Sequence, residues 1–169
     1  MNTNHPATLD PDDLLKDCQV RRLRRSGPGG QHRNKVETAV ALKHRPTDIE
    51  AEANERRSQA ENQRMALKRL RINLALCVRS EVEQESIPSH LWEKRCRNRR
   101  ISVNKDHRDF PALLAEALDV IVHFTMDVKV AADALLCSPS QLTKLLKTEP
   151  RALAIVNDRR AQLGMHRLK

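Results

Sequence analysis

The chain has 169 residues, enough for one ordinary domain of ~100–150 residues with an appendage or for two small ones. Lys and Arg number 31 against 22 Asp and Glu, a net charge of +9 with a pI near 9.9, which favours a phosphate-bearing partner. No apolar run approaches the ~20 residues that cross a bilayer, and residues 1–13 are polar and acidic, unlike a leader peptide, so the sequence argues against a membrane partner and reads as cytoplasmic.

In chain order, residues 1–9 read as a flexible tail, followed by a short acidic helix over 10–16 with Asp10 as its cap and Pro11 in its first turn. Cys18, Val20 and Leu23 then suggest a strand leading into Ser26-Gly27-Pro28-Gly29-Gly30-Gln31-His32-Arg33-Asn34-Lys35. Glycine enters positive φ cheaply and proline cannot continue a ladder of donors, so this stretch is a loop with Gln31 on exposed backbone. Between Lys16 and Lys35 seven Lys or Arg face one acid, Asp17, a density that seeks phosphate. With two Phe, one Trp and no Tyr, there are almost no aromatic faces to stack bases; affinity for RNA would come from Lys and Arg on phosphate, recognising shape rather than sequence.

After the loop, 33–37 could form one helical turn and 39–43 a strand ending at Pro46. Residues 49–54 alternate Ile49, Ala51 and Ala53 with Glu50, Glu52 and Asn54, a half-buried strand paired back onto its predecessor. The spacing of Ala60, Gln63, Leu67, Leu70, Leu74 and Cys77 predicts a helix over 56–79 laid across that sheet, with Arg64, Lys68 and Arg71 turned out towards solvent or RNA. Residues 81–110 read as a basic linker, with Lys94, Arg95, Arg97, Arg99 and Arg100 as a second phosphate-contacting strip. Residues 111–169 are helical, with Asp127 capping one helix, Ser138-Pro139-Ser140-Gln141 opening another, and Gly164 stopping the last. Cys18, Cys77, Cys96 and Cys137 form no Cys-x-x-Cys pair and lack His at zinc spacing, so the expectation is reduced, mostly buried thiols, with no metal and no cofactor. The expected fold class is α+β: a small, mostly antiparallel sheet with a glycine-rich loop and a long packed helix over 10–80, then the linker and a small all-helical module.

Residues 25–35 resemble the catalytic loop of bacterial class I peptide chain release factors and of their small ribosome-rescue relatives. Val36-Glu37-Thr38-Ala39-Val40 looks like the turn and strand after that loop, His44-Arg45-Pro46-Thr47 like the hairpin, and Glu55-Arg56-Arg57-Ser58-Gln59 with Asn62 like the start of the family helix. The likeness covers about 18–76. It implies a loop that enters the peptidyl transferase centre of the large ribosomal subunit and hydrolyses the ester joining peptide to tRNA. By resemblance the Gln31 main-chain N–H stabilises the charge growing on oxygen, Gly29 and Gly30 allow the backbone geometry, and the Gln31 side chain admits water while excluding larger nucleophiles. Arg25, Arg33, Asn34 and Lys35 carry over as contacts to rRNA or the tRNA acceptor end, and Arg64 and Lys68 extend that RNA-facing set along the helix. Ser26 and His32 lack a placed third member for a nucleophile-base arrangement, which leaves His32 to RNA or to the loop. A glutamine methyltransferase acting on Gln31 is a further partner that the resemblance implies.

The 17 residues before Cys18 are too few for the codon-reading domain of a full class I factor, and Pro6-Ala7-Thr8 matches that family's Pro-x-Thr tripeptide only by coincidence in a tail. Codon-independent rescue of stalled ribosomes is therefore the expected subtype. Ala131 to Lys147 also resembles a helix-turn-helix of the Fis type, with Leu136 where that pattern usually has Gly, and it reads either as a structural bundle or as a nucleic-acid reader. Two alternatives stay open: a non-catalytic ribosome- or RNA-binding protein that keeps the loop for docking, and a DNA-binding regulator acting through its C-terminal helices.

Overall fold

The computed structural model describes residues 5–23 and 38–169. The glycine loop and the helical turn expected over 33–37 therefore lie outside the described residues. A 3-10 turn at Pro6–Thr8 leads into helix α1 (Pro11–Lys16), then strands β1 (Cys18–Leu23), β2 (Ala39–His44) and β3 (Glu50–Ala53) and helix α2 (Gln59–Cys77). The strands make one antiparallel sheet in the order β1-β2-β3. Alternation places Val40 and Leu42 in the core against α2, as the pleat requires. With the helices that follow, this is the α+β architecture expected.

Helix α2 starts as its sequence dictates: Ser58 is the N-cap, accepting from the Glu61 N–H at 3.5 Å, with an acid in the first turn. Its buried face is wider than the predicted stripe. Ile72, Ala75 and Leu76 join Leu67, Leu70 and Leu74, while the predicted ends Ala60 and Cys77 are exposed. The reason is that α2 packs on the sheet with one side and on helix α4 (Phe110–His123) with another. The same sandwiching overturns the outward placement of Arg71, which is buried and donates to Ala7 O at 2.9 Å and to Arg108 O at 2.7 Å.

Two segments read from the sequence as tail and linker carry packed structure. Ala7 and Leu14 are fully buried in the core shared with α2 and α4, so residues 5–9 are a docked turn. Within 81–110 lie helix α3 (His90–Arg95) and a hairpin of β4 (Cys96–Arg97) and β5 (Arg100–Ile101). Trp92, 1% exposed, enters the same core and its indole N–H donates to Leu135 O at 2.7 Å. Local polarity hid both: neither segment has a periodic apolar face of its own, and each reaches a core built elsewhere through few residues, Ala7 in the first and Trp92 in the second. Of the thiols, Cys137 is buried, which pushes its pKa up to about 12, whereas Cys77 is exposed and Cys18 and Cys96 are half-buried.

The helical end follows its cap chemistry. Asp127 accepts from Lys129 N and Val130 N to open helix α5 (Val128–Ala134), and Ser138 accepts from Gln141 N to open helix α6 (Pro139–Thr148). Helix α7 (Pro150–Gln162) ends two residues before Gly164, whose φ of +70° suits its lack of a Cβ. Between α5 and α6, Leu136 takes φ +52° and is 58% exposed, so the turn keeps the left-handed residue that glycine usually fills, at a cost of about 1–2 kcal/mol.

His5 links the N-terminal turn to the end of α2. Its Nδ1 accepts from Ala7 N at 3.0 Å and its Nε2 donates to Val78 O at 3.1 Å, an arrangement that requires the neutral ring. Burial pushes its pKa down from 6.5 to about 4. The stabilising neutral ring is fully present above 6.5; between 6.5 and about 4 the unfolded chain takes up a proton that the native state refuses, so stability falls with pH. The stability advantage of wild type over His5→Gln should shrink by about 3 kcal/mol between pH 7 and pH 4 in denaturant melts. Asp119, raised to about 6 by burial against the pull of Arg79, titrates in the opposite sense, but it is common to both proteins and leaves the difference unchanged.

Candidate functional site

The described framework holds the two roots of the loop. In the β1–β2 ladder Cys18 faces His44 and Leu23 faces Ala39, so residue 23, where the chain departs, and residue 39, where it resumes, are antiparallel partners at one end of the sheet.

Asn62 pins the C-terminal root. It is fully buried near the start of α2; its Nδ2 donates to Thr38 O at 2.6 Å and to Arg56 O at 2.9 Å, and its Oδ1 accepts from Arg56 N at 2.9 Å. One amide thus ties the residue before β2 to the entry of α2. The sequence marked Asn62 only as part of a resemblance; the further signal was a short amide four residues before Ala66 and eight before Leu70, on the buried face of an amphipathic helix. Replacing it by Leu, of similar volume, leaves three backbone groups without partners, and urea melts should show a loss of about 2–4 kcal/mol. An unchanged melt would mean that the root is held some other way.

The turn after β2 is fixed as firmly. His44 is buried, its Nδ1 lies 2.8 Å from Thr47 Oγ1, and burial lowers its pKa. Arg45 N donates to Asp17 O at 3.0 Å, joining that turn to the start of β1. Arg21 on β1 pairs with Glu50 on β3 at 2.9 Å over the middle strand, and Arg69 on α2 pairs with Glu55 before that helix at 2.7 Å.

Of the residues expected to act, Gly29, Gly30, Gln31, Arg25, Arg33, Asn34 and Lys35 lie outside the described residues. Arg64 is exposed on α2, with its Nε 3.4 Å from Ala60 O. Lys68, half-buried on the same helix, forms an ion pair with Asp106. The basic run of 94–100 divides: Arg95 is held by Asp109 at 2.8 Å and Arg99 by Asp133 at 2.7 Å, whereas Lys94, Arg97 and Arg100 are exposed and make no ion pair among the described residues. Arg56 and Arg57, at the entry of α2, are likewise exposed without an ion pair among the described residues. No helix among the described residues is long and apolar enough to cross a membrane.

A family model described as the RF-1 domain matches residues 11–109. The chain is 39% identical over 84 residues to peptide chain release factor 2 of Staphylococcus saprophyticus, covering 50% of this chain and 21% of the relative. Against peptide chain release factor 1 of Delftia acidovorans identity is 46% over 76 residues, covering 45% and 20%. With peptide chain release factor 1 of Frankia casuarinae it is 30% over 145 residues, covering 75% and 40%. The chain therefore spans less than half the length of each of these curated relatives. The matched region takes in the sheet, the roots of the loop, α2 and Asn62, and the chain belongs to the RF-1 domain family, that of the class I peptide chain release factors.

Proposed function

We propose that this protein releases nascent peptide on the ribosome by hydrolysing the ester of peptidyl-tRNA, with Gly29, Gly30 and Gln31 as the reacting loop. The observation that carries the reading is the family match across 11–109, which spans the Gly-Gly-Gln sequence and the clamped strands on either side of it. Ester hydrolysis passes through a tetrahedral state with charge on oxygen, and a preorganised main-chain N–H stabilises that state more than the ground state. The Gln31 N–H supplies this donor, the two glycines let the backbone reach the ester, and water is the nucleophile. Arg25, Arg33, Asn34 and Lys35 hold the loop against rRNA or the acceptor end of tRNA, and exposed Arg64 extends the cationic track along α2. Lys68 joins it by exchanging Asp106 for phosphate. Gln31 is the position a glutamine methyltransferase would modify.

The finer reading is release without a stop codon, as in ribosome rescue. It is supported by the setting of Pro6-Ala7-Thr8, in which Ala7 is wholly buried with its carbonyl accepting from Arg71 and Thr8 Oγ1 donates to His5 O at 2.7 Å. Single-turnover release from ribosomes carrying truncated, sense-codon or stop-codon messages tests both levels. Release from truncated or sense-codon complexes is expected; release only at stop codons overturns the finer reading, and no release from any complex, with ribosome binding intact, replaces the catalytic reading with the docking one.

A further inference from the structure

The helical end carries eight Lys or Arg and six acids after residue 110, an unremarkable balance as composition. The fold sorts these charges. Asp119 is paired with Arg79 at 2.9 Å, Asp133 with Arg99 at 2.7 Å, Asp158 with Arg167 at 3.2 Å, and Glu149 with Lys105 at 3.1 Å and Arg151 at 2.7 Å. Glu116 accepts from Ser89 Oγ at 2.6 Å and is largely buried, and Asp127 is used as the cap of α5. What remains on one face is lysine.

Lys129 of α5 and Lys144 and Lys147 of α6 are exposed, make no ion pair among the described residues, and border one groove of ≈630 Å³ with Pro139, Ser140 and Thr143. Lys144 and Lys147 are three apart on α6 and so share its outer side. Arg160 lines the same groove, its guanidinium held by Met126 O at 2.5 Å and His166 O at 2.8 Å. The one acid at the rim is Asp127, whose Oδ1 already accepts two backbone N–H groups.

We infer that this face, built on the α5–turn–α6 hairpin, binds the phosphate backbone of double-stranded RNA and gives the protein a second hold on the ribosome, separate from the glycine loop. The side chains present decide the mode. Base readout relies most on planar forks such as those of Arg, Asn or Gln, but Gln141 Oε1 accepts from Ile101 N at 3.2 Å and Arg160 is tied to carbonyls. The free groups are the ammonium ions of Lys129, Lys144 and Lys147 and, on the same groove, of Lys169, point charges that suit phosphate. That favours backbone contact over the operator reading expected of a DNA-binding regulator, and the choice of RNA over DNA rests on the release reading above.

The test is binding of the full chain to a stem-loop RNA of ~20 base pairs, followed by anisotropy over a range of salt, with a DNA duplex of equal length in parallel. Lys129→Ala/Lys144→Ala/Lys147→Ala, all at exposed positions, should melt like wild type, bind the RNA stem roughly 10- to 100-fold more weakly, and lower the salt slope by about 2 to 3. Wild-type affinity and slope in the triple variant overturn the inference, and a DNA duplex bound as tightly through the same lysines overturns the choice of RNA. Because the probe is naked RNA, failure of the release reading registers separately, as a wild-type protein that frees no peptide.

Discussion

Gly30→Ala should lower single-turnover peptide release by roughly 10²- to 10³-fold while leaving ribosome binding within about twofold, as read by co-sedimentation. That loss is the magnitude seen when one preorganised donor to a developing oxyanion is misplaced, which is the effect the proposed mechanism assigns to a Cβ beside the Gln31 N–H. Gln31→Ala separates main chain from side chain. It keeps the N–H, so water-dependent release should fall by less than in Gly30→Ala, and a small amine supplied as competing nucleophile should capture more of the peptide than with wild type. Equal and low release from wild type and both variants, with binding retained, would leave the loop as a docking element.

The second large effect falls far from the loop. Trp92→Ala should cost about 3–5 kcal/mol, read as a lowered midpoint in urea, because it empties the largest fully buried site and leaves Leu135 O unpaired. Trp92→Phe retains most of the ring's burial and loses only the indole N–H, so its cost should be about 1–3 kcal/mol. Trp92 joins α3, from the segment that reads as a linker, to the end of α5. A melt in which Trp92→Ala unfolds at wild-type denaturant would mean that these elements do not fold as one unit.

What could be read from the residues alone was whatever depends on near neighbours. The period-two alternation of 49–54, the three-and-four spacing over 56–79, the caps Asp10, Asp127 and Ser138, and the stop at Gly164 all use interactions spanning a few residues, and each element appears within about three residues of its expected place. The Gly-Gly-Gln stretch and its basic flanks stand out in the sequence for the same reason, because backbone permissiveness and local charge density are written in composition, and they lie outside the described residues.

The tertiary structure decided which polar groups are buried and which charges remain free. Arg71 reads as a solvent-facing cation by helical spacing and becomes a buried clamp because two carbonyls, Ala7 O and Arg108 O, reach it from distant parts of the chain. Asn62 acquires its importance from Thr38 O, and Trp92 from Leu135 O. The lysines of the helical end stand out only after Arg79, Arg99 and Lys105, all from outside that end, have drawn its acids away. Burial, and the pairing it forces on polar atoms, is set by residues far apart in sequence; no window a few residues wide contains both partners.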